Sequence, residues 1–149
     1  MTAVRLRDVE PADLPVFFQH QRDPEGARMA AFTPRDRAAF DEHWRKNILG
    51  NPSSIVRTIL FNDDVVGNVG SWLQDGDRLV GYWIGREHWG RGIATAALAA
   101  FLQVVTDRPL RAHAASRNTA SIRVLEKCGF RFERSEVYED LTESVFVLE

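Results

Sequence analysis

Residues 87–98 read EHWGRGIATAAL: two glycines flank an arginine, and an alanine-rich run suited to helix follows at once. The preceding stretch, RLVGYWIG (78–85), has the Val, Tyr, Trp and Ile content of a strand. A strand-to-helix turn stripped of side chains bares consecutive backbone N–H groups at the positive end of a helix dipole, which is a ready seat for an anion. Glycines here also permit a tight turn and close helix–sheet packing, and the stretch by itself leaves both readings standing. Its spacing narrows the anion. No Lys-Ser/Thr follows as in a P-loop, and Thr95 stands where the third glycine of a dinucleotide fingerprint belongs.

Outward from this turn, strand and helix signals alternate. Val4, Leu6 and Val9 alternate with charges in the first strand (3–10), and a short helix follows over 13–21, with Asp13 as N-cap and Pro15 in its first turn. TPRDRAAFDEHWRKNILG (33–50) carries the start signals of a second helix, Thr33 as cap and Pro34 at the first helical position, and Gly50 with Pro52 ends it. SIVRTILF (54–61), VVGNVGSWL (65–73) and RLVGYWIG form a three-strand meander, turned at Asn62-Asp63-Asp64 and at Asp75-Gly76-Asp77. After the glycine turn come a helix to about Val105, a strand LRAHAA (110–115) and a helix ASIRVLEKC (120–128) closed by Gly129. FRFERSEVY (130–138) and SVFVLE (144–149) are two last strands. The order is mixed α/β, with no internal repeat.

Composition bounds the function. The 149 residues suit one domain over 1–149, 44% hydrophobic and 27% charged, without a linker-like segment. A formal charge of −2 gives no general basic face for nucleic acid, although 17 of the 19 cations are arginine. The single cysteine, Cys128, sits in an apolar helical stretch as a small buried hydrophobe and builds neither a disulfide framework nor a thiolate metal site. No signal-like opening or membrane-length apolar run is seen, so a cytoplasmic protein without membrane contact is expected.

A second constellation, RNTASIRVLEKCGFRF (117–132), places Asn118 at a helix start three residues before Ser121 and ends on Gly129-Phe130. GYWIGREHWGRGIATAAL and NTASIRVLEKCGFRF, in this order and at this spacing, closely resemble the GNAT superfamily of acetyl-CoA-dependent N-acetyltransferases. Within it the chain looks like the branch of the RimJ and RimL ribosomal-protein acetyltransferases, with weaker support from VVGNVGSW (65–72). The resemblance implies an α/β (α+β) fold: a mixed, mostly antiparallel sheet of six or seven strands, a central splayed parallel pair, and about four flanking helices. It also implies that Trp89, Gly90, Arg91, Gly92, Ile93, Ala94 and Thr95 form the loop whose N–H groups receive the coenzyme A pyrophosphate. The main chain at Tyr82 and Ile84 would pair with the pantetheine amides as an added strand does. Asn118 matches a residue near the pantetheine arm and is equally a plain helix N-cap, two compatible roles. Arg86 and Lys127 are the nearby cations that could reach phosphate oxygens, and each reads equally as a solvated surface charge. Trp89 replaces the usual Gln or Arg, and no metal is implied.

Acetyl transfer from a thioester to an amine needs the ammonium to lose a proton, to a side chain or through water. A backbone N–H in the splayed strand would hold the oxyanion. In a sister branch, the ribosomal alanine acetyltransferases, the proposed base is a glutamate five residues before the motif asparagine; here His113 stands there. Histidine suits the task near neutral pH, and its other reading is a hydrogen-bonded, inert residue at a strand end. The tyrosine acid of that branch aligns with Leu125 and is missing. Ser121 is the nearest hydroxyl for the leaving thiolate, and Tyr138 is another.

The function expected is direct acetyl transfer from acetyl-CoA to a primary amine, of a small molecule or a protein N-terminus. The alternative is a non-catalytic coenzyme A-binding module, a sensor or scaffold, motivated by the missing tyrosine and by Ala96, where many relatives of the branch carry glutamate. The acceptor side would be shaped by RDPEGARMAAFTPR (22–35) and SEVYEDLTES (135–144), both acidic, with Phe32, Trp44, Trp72, Tyr82 and Trp83 as wall or core. A monomer or homodimer is expected.

Overall fold

The computed structural model describes residues 3–149. Seven strands form one sheet: β1 (Val4–Arg7), β2 (Ile55–Phe61), β3 (Asp64–Gln74), β4 (Asp77–Ile84), β5 (Leu110–Ala115), β6 (Arg131–Tyr138) and β7 (Leu141–Leu148). Their order is β1-β2-β3-β4-β5-β7-β6, antiparallel throughout except for the parallel pair β4 and β5. The helices are α1 (Asp13–Arg22), α2 (Pro24–Met29), α3 (Arg37–His43), α4 (Ile93–Phe101) and α5 (Thr119–Lys127). A π-helical turn, Trp44–Leu49, prolongs α3, and a 3-10 turn, Arg86–His88, leaves β4. This is the architecture expected, with one helix more.

Local chemistry explains the hairpins. Asn62 (φ 49) and Asp63 (φ 71) join β2 to β3 as a two-residue loop with positive φ at both positions, whose twist matches that of the flanking strands. Asp75 (φ 51) and Gly76 (φ 85) do the same between β3 and β4. On β3, Val65 and Val66 point to opposite faces and join different cores. Val66 packs with Ile59, Val80, Leu98, Phe101, Leu125 and Phe146 beneath α4 and α5, and Val65 faces Phe17, Phe18, Phe40 and Trp44 of α1, α3 and the π-turn.

Three expectations are corrected. Asp13 is not a cap: it opens α1 after Ala12, and its carboxylate, 2% exposed, accepts from Arg7 (2.7 and 2.9 Å), the Glu10 N–H (2.8 Å) and Thr58 Oγ1 (2.7 Å). Thr33 does not start α3. Asp36 does, its side chain accepting from the Ala39 N–H at 2.8 Å, because buried Gln21 holds the Arg35 N–H (2.9 Å) and carbonyl (3.1 Å) and keeps the chain extended to that point. Between α1 and α3 lies α2, where a single loop was expected; Pro24 at its first turn and Asp23 accepting from the Gly26 N–H at 2.8 Å start it.

Candidate active site

The parallel pair β4 and β5 is joined only at Arg78↔Leu110 and Leu79↔Arg111. Beyond Leu79 the two strands part, and a cavity of about 580 Å³ opens between them. Val80–Ile84 wall one side, Ala112–Ala115 the other, α2 and the start of α4 the ends, and α5 runs alongside. A parted sheet leaves one edge of β4 without a strand partner, so an extended ligand can add there through main-chain hydrogen bonds.

Gly90 (φ 79) and Gly92 (φ 75) turn the chain into α4 in the left-handed region that only glycine adopts freely. No side chain caps α4. Among the described residues, none of the backbone N–H groups from Gly90 to Thr95 has a protein acceptor; the first engaged is that of Ala96, on the Gly92 carbonyl at 3.1 Å. A Cβ at Gly90 or Gly92 would meet nothing within 4 Å, so the space beside these two turn residues is open. Six orphan donors, a helix N-terminus and open space fit a pyrophosphate.

Charge supports the same end. Arg123 and Lys127, one helical turn apart on α5, line the cavity and form no ion pair among the described residues. Arg123 escaped notice in the sequence, although its spacing to Lys127 places it on the same face. Arg86 pairs with Asp23 at 3.2 Å and does not line the cavity. Arg91 is exposed and does not line the cavity, so its side chain stands apart from the donors that its backbone supplies.

Tyr82, Ile84, Trp89, Gly90, Gly92, Ile93, Ala94, Thr95, His113, Asn118 and Ser121 all line the one cavity. Trp89 Nε1 donates to the Ile84 carbonyl at 2.9 Å, which fastens the loop to the end of β4. Asn118 caps α5, its Oδ1 accepting from the Ser121 N–H at 3.2 Å. The Tyr82 hydroxyl lies 2.7 Å from Ser121 Oγ, and desolvation by burial, eased by that hydrogen bond, pushes the phenol up to about 12. This side-chain role of Tyr82 was not legible in the sequence.

His113 Nδ1 is 3.2 Å from Glu143 Oε1 of β7, and both residues line the cavity. A ring nitrogen of His113 and a carboxylate oxygen from each of Glu136 and Glu143 lie within 4.8 Å of one another. Tyr138 does not line the cavity, and its hydroxyl bonds Glu136. Gly26, Met29 and Ala30 bring α2 and its end to the cavity beside Trp83, on which Phe32 stacks edge-on at 5.3 Å. Trp44 is core, Trp72 lies against Gly81, Ala96 does not line the cavity, and Cys128 is half-buried with Sγ 3.6 Å from the Thr95 carbonyl.

A sheet parted between two parallel strands, with the bared start of a helix across the mouth of the gap, is the frame of an N-acetyltransferase. Residues 3–131 match the family model described as acetyltransferase (GNAT) domain, and the chain belongs to that family. It is 29% identical to the uncharacterized N-acetyltransferase p20 of Bacillus licheniformis, over 86% of this chain and 79% of that protein. The fold matches spermidine N-acetyltransferase from Vibrio cholerae in complex with CoA and spermine, with a TM-score of 0.84, 16% identity, and coverage of 98% of this chain and 95% of that one. It also matches RimL, the ribosomal L7/L12 alpha-N-protein acetyltransferase, in complex with coenzyme A (TM-score 0.83, 17% identity, 99% and 94% covered). A third match is aminoglycoside acetyltransferase AAC(6')-Ib in complex with coenzyme A (TM-score 0.82, 17% identity, 97% and 94% covered).

Proposed function

We propose that the protein moves an acetyl group from acetyl-CoA directly to a primary amine, of a small molecule or a protein N-terminus. The observation that carries this is the run of N–H groups from Gly90 to Thr95 without an acceptor among the described residues, in a loop that lines the same cavity as His113. Those donors, with Trp89 to Thr95 as the loop, take the pyrophosphate; the free edge of β4 at Tyr82 and Ile84, with Asn118 opposite, takes the pantetheine. His113 accepts the proton of the incoming ammonium, and the neutral amine attacks the thioester carbonyl. The C–N bond forms, the C–S bond breaks, and the second amine proton goes to the departing sulfur near the Ser121 and Tyr82 hydroxyls. Holding both reactants supplies much of the acceleration, so a base of modest strength suffices. The acceptor enters beside α2, Trp83 and Glu143, where an amine finds an aromatic wall and a carboxylate.

No helix of the described residues is long and apolar enough to cross a membrane. A cytoplasmic protein, monomeric or homodimeric, completes this reading. Thiol release from acetyl-CoA across a panel of polyamines, aminoglycosides, amino-acid derivatives and peptides, with mass detection of product, tests it. Amine-dependent release above background is expected; tight coenzyme A binding with no turnover on any acceptor would leave a binding module instead.

A further inference from the structure

Glu136 of β6 and Glu143 of β7 stand directly opposite each other across the last hairpin. Like charges in facing positions repel, so each carboxylate must be compensated for the pair to persist. Glu136 is compensated within its own strand: Arg134 donates to it through Nε (3.0 Å) and Nη2 (2.7 Å), and the Tyr138 hydroxyl bonds its other oxygen. Among the described residues Glu143 has only His113 as hydrogen-bond or ion-pair partner, one strand over on β5 and diagonal to it in the ladder.

The chemistry of that contact fixes the imidazole. An ionised carboxylate accepts hydrogen bonds and cannot donate, so Nδ1 of a neutral His113 must carry the proton. The lone pair then lies on Nε2, which has no hydrogen-bond partner among the described residues. The ring also cannot swing freely, since Nδ1 is tied to β7 and its stem to β5.

We propose that Glu143 is a positioning residue for catalysis: it holds His113 in the Nδ1–H tautomer with Nε2 ready to take the acceptor's proton, and it balances the imidazolium that results. This rests on His113 as the base. The two carboxylates thus have separate duties, Glu136 bound to Arg134 and Glu143 given to the histidine. No proton moves to Glu143; it goes from the ammonium to Nε2, and from there to water once the amide has formed.

The test uses the full chain with its best acceptor from the panel. Glu143→Gln keeps the shape and removes the charge, and kcat is expected to fall about 10-fold with the acetyl-CoA KM within 2-fold, while His113→Ala falls about 100-fold. The double variant should be no slower than His113→Ala alone, because both changes act through one proton transfer. Nitrogen NMR of the histidine-labelled protein at neutral pH should show His113 as the Nδ1–H tautomer, mixed in Glu143→Gln. Wild-type kcat in Glu143→Gln beside a slow His113→Ala overturns the proposal and leaves the base in place. An unchanged rate in His113→Ala removes the base and the proposal together. An Nε2–H tautomer in the wild-type protein overturns it without any variant, so a poorly folding Glu143→Gln does not shield it.

Discussion

The Tyr82 hydroxyl on β4 lies 2.7 Å from Ser121 Oγ on α5, beside the line where β4 and β5 part. Strand and helix are tied together by a hydrogen bond where the sheet's own bonds stop. The same phenol is 3.3 Å from the Ser121 carbonyl, so the first turn of α5, already capped by Asn118, is held on the strand side as well.

Tyr82→Phe is therefore expected to destabilise the fold by about 1 kcal/mol at neutral pH, the worth of a half-buried hydrogen bond. The pH dependence carries the stronger signature. Because the folded value is raised to about 12, the phenol's contribution is fully present below the unfolded value near 10 and lost as pH rises through 12. Denaturant unfolding between pH 9 and 12 should show the wild type losing about 2 kcal/mol more than Tyr82→Phe.

Gly90→Ala and Gly92→Ala each force a side chain into a left-handed backbone without meeting any neighbour, so strain alone costs about 1–2 kcal/mol. The added methyl enters the loop that carries the orphan donors. Calorimetry should find coenzyme A affinity reduced about 10-fold or more, with melting lowered by roughly 2–8 °C. Unchanged affinity would remove these donors from the phosphate site.

Arg123→Ala and Lys127→Ala break no ion pair among the described residues, and stability should stay within about 0.5 kcal/mol of wild type. Coenzyme A affinity should drop about 3-fold for each, an effect that shrinks as ionic strength rises. Titration at two salt concentrations checks both statements.

Asp13 anchors the opposite side of the sheet. Burial by itself would raise its carboxyl, but hydrogen bonds from Arg7, the Glu10 N–H and Thr58 outweigh it and hold the group below the ordinary carboxylate value. That contribution is present above the unfolded value and lost as pH falls through the lower folded one. Asp13→Ala, which strands Arg7 and Thr58, should cost about 3 kcal/mol at pH 7. Asp13→Asn should flatten the acid limb of the stability curve, as measured by urea unfolding from pH 6 downward.

Much of this protein was legible because its signals are local. Gly90 and Gly92 announce a left-handed turn and bare donors; Asn118 caps its own helix three residues on; Asn62-Asp63 and Asp75-Gly76 set their hairpins. Each needs only neighbours in the chain. The short helix α2 was missed since six residues with a glycine carry little periodicity, and the start of α3 was misplaced because the choice between Thr33 and Asp36 was made by Gln21, 14 residues before Arg35.

By itself, then, the sequence determined the glycine turn with its bare donors, the order of the strands and the family. Tertiary structure alone decided that β4 and β5 separate after two paired residues, that Tyr82 reaches Ser121 across 39 positions, and that Glu143 reaches His113 across 30. The physical reason is range. Glycine conformation and helix capping are settled within one turn of chain, whereas side-chain partners in a sheet are set by register, which emerges only when every strand has packed its apolar face.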